Sequence, residues 1–211
     1  LMKLPQEMPG YIGALIEPLA VSVHGIARTN LEEVQVAAVL GGGPIGLLTA
    51  LVAQARGVPH VVVSDILPSR LELATSLRLH AVAAGAELKK LVMDLSDGNG
   101  ADVIFACAGS ASSAREMTSL VRTRGVIVNL GVFKKPVEID MQAVNFKEVE
   151  VLGSRVYERK DFQTAIELAM QLPLEKIVTH SFSLRDVATA FKQFKMGEVC
   201  KVLILPTEYV S

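Results

Sequence analysis

Val34-Gln35-Val36-Ala37-Ala38-Val39-Leu40-Gly41-Gly42-Gly43-Pro44-Ile45-Gly46 is the stretch that decides the fold of this chain. Its first half is rich in valine and alanine and runs into glycines, as a strand buried on both faces does. From Pro44 to Ala55 the length and composition are helical, and Pro44 removes only a donor that the first helical turn leaves free. Gly41, Gly43 and Gly46 stand at G-x-G-x-x-G spacing across this strand-to-helix junction. Gly41 permits the tight turn, Gly43 lets a pyrophosphate approach, and Gly46 lets the helix pack closely on the strand. The backbone N–H groups around Pro44 and Ile45, at the positive end of the helix, suit a phosphate. Asp65 lies nineteen positions beyond Gly46, closing the β-branched run His60–Ser64. A carboxylate there accepts hydrogen bonds from an adenosine ribose and repels a 2′-phosphate, which points to NAD rather than NADP. Arg70 complicates that preference, because a guanidinium recruits phosphate.

Outward from this unit the chain alternates strands and helices with short connections. Pro68 opens a helix over Ser69–Leu79, His80–Ala84 reads as a weaker strand and Glu87–Leu95 as a short helix. Asp102–Cys107 is a further strand. Ser110–Ser113 offers capping oxygens for a helix reaching about Val121, and Gly125 is expected to separate that helix from the strand Val126–Leu130. After a looser stretch over Lys134–Asp140, a strand at Val149–Leu152 and a helix over Asp161–Gln171 follow, with Pro173 as the break. A helix over Ser181–Phe194 and a last strand Lys201–Leu205 complete the pattern. Upstream, Pro18 starts a helix running to about Arg28 and is expected to leave Glu17 at a break between elements. The whole is an α/β pattern, a Rossmann doubly wound parallel sheet with helices on both faces and a C-terminal return segment. Ala108-Gly109 and Leu130-Gly131-Val132, at the ends of later strands, are candidates to line the second half of a dinucleotide crevice.

Composition narrows the function. The chain has 211 residues, half of them hydrophobic, with 21 basic and 22 acidic side chains, so nothing marks a surface for nucleic acid or an anionic membrane. Between Glu33 and Arg56 no residue is charged, but the glycines and proline at its centre favour a buried strand, turn and helix over a membrane span. Leu1–Gly10 shows no secretory signal. The two cysteines, Cys107 and Cys200, have no metal-type spacing, and a reducing cytoplasm fits them. Cys107 reads as a small core residue, and His24 as a packed or hydrogen-bonded histidine. His60, His80 and His180 have no partner at helical spacing, and no Gly-Lys-Ser/Thr follows the glycine loop, which argues against a nucleotide triphosphatase.

The chain resembles the medium-chain zinc-dependent alcohol and polyol dehydrogenases, in particular their sorbitol, butanediol and threonine dehydrogenase-like branch. The residues that carry the likeness are Leu15-Ile16-Glu17-Pro18-Leu19-Ala20 with His24, Val39-Leu40-Gly41-Gly42-Gly43-Pro44-Ile45-Gly46, Asp65 with Arg70-Leu71, Val149-Leu152-Gly153-Ser154, and Gly197-Glu198 with Lys201-Val202. The likeness implies a parent enzyme that moves hydride between a secondary alcohol, diol or polyol and NAD. It implies a zinc, most of whose ligands lie in a GroES-like catalytic domain with no counterpart here. Glu17 matches an acid that ligates this zinc or lies beside it, and Arg155 and Tyr157 fall near the substrate side in relatives. Residues 1–33 then form the end of the catalytic domain and a linking helix, 34–172 the NAD-binding domain, and 173–211 the segment returning to the catalytic domain. The resemblance also implies a homodimer or homotetramer acting on a small-molecule alcohol in the cytoplasm, and a chain inactive by itself. Two other readings of the glycine loop are a stand-alone NAD-binding regulatory or sensor domain and an S-adenosylmethionine methyltransferase, the latter disfavoured by the upstream Glu-Pro segment.

Overall fold

The computed structural model describes residues 2–197 and 199–206; Leu1, Glu198 of the Gly197-Glu198 pair, and residues 207–211 lie outside the described residues. In chain order the elements are α1 (Gly10–Gly13), α2 (Ile16–Ile26), β1 (Val36–Leu40), α3 (Pro44–Ala55), β2 (His60–Asp65), α4 (Pro68–Ser76), β3 (His80–Ala83), α5 (Ala86–Leu95), β4 (Ala101–Ala106), α6 (Ala111–Leu120), β5 (Val121–Asn129), α7 (Met141–Phe146), β6 (Glu150–Gly153), α8 (Arg159–Ala169), β7 (Val178–Ser183), α9 (Val187–Met196) and β8 (Lys201–Leu205). Six strands form one sheet in the order β3-β2-β1-β4-β5-β6, with every neighbouring pair parallel. This is the doubly wound arrangement that the strand–helix alternation implies. All five residues of β1 are buried, as a central strand covered on both faces requires. One apolar core joins this sheet to α2, α3 and α8 through residues such as Leu19, Leu48 and Ile166, and a second joins its other face to α5 and α6 through Leu88, Val92 and Leu120.

The register brings the carboxyl ends of the strands level. Leu40 pairs with Ser64 and with Ala106, Ala106 with Asn129, and Asn129 with Gly153. The residues that follow these positions, among them Gly41, Asp65, Cys107, Leu130 and Ser154, therefore line one edge of the sheet.

Three expectations are corrected. Glu17 is inside the first turn of α2 and not at a break. Pro18 is the third residue of that helix, where its missing N–H costs nothing, and the steric bias on the residue before proline disfavours a helical conformation without forbidding it. Gly125 does not separate α6 from the next strand, because β5 begins at Val121 directly after α6 and runs through it. A Cβ at Gly125 would meet Val121 Cγ2 of its own strand at 2.5 Å and the Asp102 carbonyl oxygen of β4 at 3.0 Å, so crowding where the β4–β5 register shifts selects the glycine. Finally, Ser181–Ser183 belong to β7, which pairs in parallel with β8, and the helix occupies only Val187–Met196. The β-branched pair Val178-Thr179 and the alternation through His180-Ser181-Phe182 fit a strand, and the helical pattern starts only after Leu184. α7 follows the looser stretch Lys134–Asp140, over residues to which the sequence pattern assigns no element; Asp140 caps it by accepting the Ala143 N–H at 2.9 Å.

Candidate cofactor site

A cavity of about 750 Å³ opens at the carboxyl ends of β1, β2 and β4. Gly41, Gly43, Pro44, Ile45, Gly46, Asp65, Arg70 and Ala108 all line it, so most of the residues singled out from sequence converge there. Each glycine has a separate steric reason. Gly41 has φ +108°, a conformation that side chains resist, and a Cβ there would meet the Ala108 backbone at 3.0 Å. A Cβ on Gly46 would sit 1.8 Å from the Gly41 carbonyl oxygen, so α3 closes on the loop only with glycine at that position. A Cβ on Gly43 would meet no protein atom within 4 Å, so that bare position faces the cavity. Gly43 is also the N-cap of α3, with no side-chain oxygen occupying the helix end. These residues therefore fit a diphosphate: open backbone, free N–H groups and a positive helix terminus.

Asp65 is 6% exposed and saturated by protein donors. Its Oδ2 accepts the Gly42 N–H at 2.7 Å and Arg70 Nη1 at 3.2 Å, while Oδ1 accepts the N–H groups of Ile66 at 2.8 Å and Leu67 at 3.0 Å. Three backbone donors aim the carboxylate, and Arg70 holds its outer face by the longest of the four contacts. Arg70 Nε is buried with no hydrogen-bond partner among the described residues, an unused donor beside the cavity.

The remaining candidates are placed differently. Gly109 and Gly131 press backbone to backbone, since a Cβ on Gly131 would lie 2.6 Å from the Gly109 nitrogen. Val132 is exposed beside them. Leu130 turns its side chain onto α2, where a Cβ on Gly25 would meet it at 2.5 Å, and Gly109, Leu130, Gly131 and Val132 do not line the cavity. Cys107 lines the cavity next to the Thr49 hydroxyl, and burial pushes its thiol up to about 12, which keeps it protonated and non-nucleophilic. Glu17, Arg155 and Tyr157 do not line the cavity. The buried Ser22 hydroxyl donates to the Ile45 carbonyl at 3.2 Å and receives the Thr49 hydroxyl at 3.1 Å, which pins α2 beside the start of α3. Glu17, just over one helical turn before Ser22, is exposed in the first turn of α2. Among the described residues no group of three His, Cys, Asp or Glu side chains could hold a metal, so they do not fit a zinc site.

Several further residues line this cavity without being assigned to it from the sequence, among them Ile66, Gly85, Ser112, Arg115 and Glu116. Ile66 is 82% exposed, an apolar face offered at the Asp65 end. Glu116 Oε1 accepts the Gly85 N–H at 2.8 Å and ties the β3 exit to α6. Ile66 and Gly85 follow strand ends and Ser112 starts α6, where ligands of such sheets bind, whereas Arg115 and Glu116, in the second turn of α6, carry no such signal.

Fold and cavity together define a doubly wound domain of the dinucleotide-binding type. The chain belongs to the zinc-binding dehydrogenase family, whose profile matches residues 44–171. It is 38% identical over 194 residues to the 2-dehydro-3-deoxy-L-galactonate 5-dehydrogenase of Pseudoalteromonas atlantica, covering 90% of this chain and 57% of that protein. With the sorbitol dehydrogenase of Halalkalibacterium halodurans it shares 31% over 212 residues, covering 97% of this chain and 62% of that one. A solved Escherichia coli CFT073 structure, described as a short chain alcohol dehydrogenase complexed with cofactor NADH, superposes with a TM-score of 0.86 at 27% identity, over 96% of this chain and 61% of the other. The chain thus spans about three fifths of the length of these proteins. The resemblance drawn from Glu17-Pro18, the glycine loop and Asp65 is borne out at the level of family and fold.

Proposed function

We propose that this chain is the cofactor-binding portion of a zinc-dependent oxidoreductase that transfers hydride between a secondary alcohol, diol or polyol and NAD. The observation that carries the reading is the convergence of the Gly41–Gly46 loop, the α3 N-terminus and Asp65 on one cavity. In this reading the pyrophosphate meets the α3 end and the adenosine ribose meets Asp65, with Ile66 along the adenine. Beyond the glycine loop, Ala108, Gly109, Leu130, Gly131 and Val132 take the other half. A bound nicotinamide supplies the hydride acceptor; what this chain supplies is orientation and exclusion of water. The described residues do not form a zinc site; Glu17 is proposed as an acid beside the zinc of the parent site, and Arg155 and Tyr157 as substrate-side groups. Residues 1–33, 34–172 and 173–211 are proposed as the linking, NAD-binding and returning segments of a cytoplasmic homodimer or homotetramer. The uncovered edge strand β6, with Val151 exposed, supports pairing between subunits.

A ribose hydroxyl reaches Asp65 Oδ2 by replacing the Arg70 contact, while the three backbone donors keep the carboxylate in place. The carboxylate therefore favours NAD, and the released guanidinium softens that preference. Isothermal titration is expected to give tighter binding of NADH than NADPH, and Arg70→Ala is expected to widen the gap by removing the only one of the four Asp65 donors that carries positive charge. Tighter binding of NADPH by the wild-type chain would overturn the Asp65 assignment. With zinc, NAD and an alcohol added, the chain is expected to show no appreciable turnover; measurable turnover would overturn the proposal that the catalytic ligands lie elsewhere.

A further inference from the structure

Val156 is held in a left-handed conformation, φ +59°. Other non-glycine residues with positive φ are Arg78, Asp97, Arg124 and Glu148; Val156 alone among these is β-branched, the side-chain type that resists this region most. Such strain persists only where the surroundings over-determine it. On one side of Val156, the Ser154 N–H donates to the Asn129 carbonyl at 2.9 Å. On the other, the Tyr157 ring packs on Phe162 with centroids 5.6 Å apart, and Glu158 and Asp161 cap the start of α8 reciprocally.

The cap extends further than its own helix. Asp161 is 3% exposed, and its Oδ2 accepts both the Glu158 N–H at 2.8 Å and the His24 Nδ1–H at 2.8 Å. One carboxylate oxygen therefore joins α2, which carries Glu17, to the turn that carries Arg155, Val156 and Tyr157. That turn leaves the carboxyl end of β6, level with the ends of β5, β4 and β1, and α8, which follows it, packs on α2, which in turn packs on α3. β2, which ends in Asp65, and β6 lie on opposite sides of β1 in the sheet, so with the adenosine at Asp65 the turn after β6 is on the nicotinamide side. Ser154 Oγ, at the start of the turn, is buried without a hydrogen-bond partner among the described residues, a polar position they leave unfilled.

We propose that His24 and Asp161 are positioning residues: their hydrogen bond clamps the strained Ser154–Tyr157 turn to α2 so that the turn contacts the nicotinamide half of the bound dinucleotide. This rests on the cofactor reading above. The bond needs a donor at the position of His24 Nδ1 and no charge, and an asparagine amide nitrogen occupies nearly the same place.

Titration of the whole chain with NADH and with ADP-ribose, which lacks the nicotinamide, separates this role from a merely structural one. His24→Ala is expected to weaken NADH by about tenfold, the size of one lost hydrogen bond to a charged group, and to leave ADP-ribose unchanged. His24→Asn is expected to restore NADH binding. Val156→Gly, which keeps the clamp but frees the turn, is expected to show the same NADH-only loss and carries the test should His24→Ala fail to fold. Equal weakening of both ligands, or unchanged NADH binding in Val156→Gly, would overturn the clamp while leaving the cofactor reading intact. A wild-type chain that binds neither ligand would overturn both.

Discussion

Gly43 and Gly46 share a motif but answer to different forces. Gly46 is required by the protein, since a Cβ would lie 1.8 Å from the Gly41 carbonyl oxygen and neither backbone can yield without opening the β1–α3 junction. Gly43, in the proposed reading, answers to the ligand. Its φ of −73° suits any residue, and a Cβ would touch nothing in the chain. Gly46→Ala is therefore expected to destabilise by about 1–3 kcal/mol, the usual cost of forcing extra volume into a packed site, and to lower the melting temperature by several degrees. Gly43→Ala is expected to leave the melting temperature unchanged and to weaken NADH at least about tenfold by blocking the pyrophosphate. Thermal melts paired with titrations decide this; a Gly43→Ala chain that binds NADH as wild type does would remove the pyrophosphate from the α3 end. The spacing of these glycines was legible in the sequence because it is a backbone requirement fixed within six residues. The partners of Asp65 were not, since Gly42 lies 23 positions away and Arg70 acts through rotamer choice.

At the scale of elements, the strands are locked at their amino ends by Asp102. Its Oδ2 accepts the N–H groups of Gln35 at 2.9 Å and Val36 at 2.8 Å, entering β1, and its Oδ1 accepts Arg122 Nε at 2.6 Å from β5. Burial alone would push this carboxyl up, but the N–H donors of Val36 and Gln35 together with Arg122 hold it below the ordinary carboxylate value. A folded-state value below the unfolded one means stability that is present above about pH 4 and lost as pH falls through the folded value. Asp102→Asn is expected to cost about 2 kcal/mol at neutral pH, or roughly 4–8 °C in melting temperature, with the gap to wild type closing in acid. Melts from pH 7 down to pH 3 measure this, and a gap that is constant or widens towards acid would contradict it. Element identity was readable wherever the period was long and unbroken, as in α3 and β2. It failed where a tertiary contact overrides local chemistry: at Gly125, which serves a crowded strand pair, and at Ser181, whose strand state depends on pairing with Leu203 across α9.

The whole molecule divides by burial. The six-stranded sheet is covered on both faces, whereas the region of β7, α9 and β8 buries few side chains, among them Ala190 and Leu203, and leaves Leu184, Phe191, Phe194 and Met196 exposed. Local opening is easiest where buried apolar contacts are few, so the two regions should open with different free energies. Amide hydrogen exchange is expected to show the slowest amides in β1, β2 and β4, with those of β7 and β8 exchanging through a lower-energy local opening. Ligand linkage sharpens the distinction. NADH at about a hundred times its dissociation constant adds about 2.7 kcal/mol to any opening that destroys its site, and nothing to one that leaves the site standing. The cofactor cavity is built from the ends of β1, β2 and β4 and no residue of 178–205 lines it, so NADH is expected to slow exchange in the large sheet and not in β7 or β8. Uniform protection across both sheets, raised equally by NADH, would show that the chain opens as a single cooperative unit and that the small sheet is energetically part of the cofactor domain.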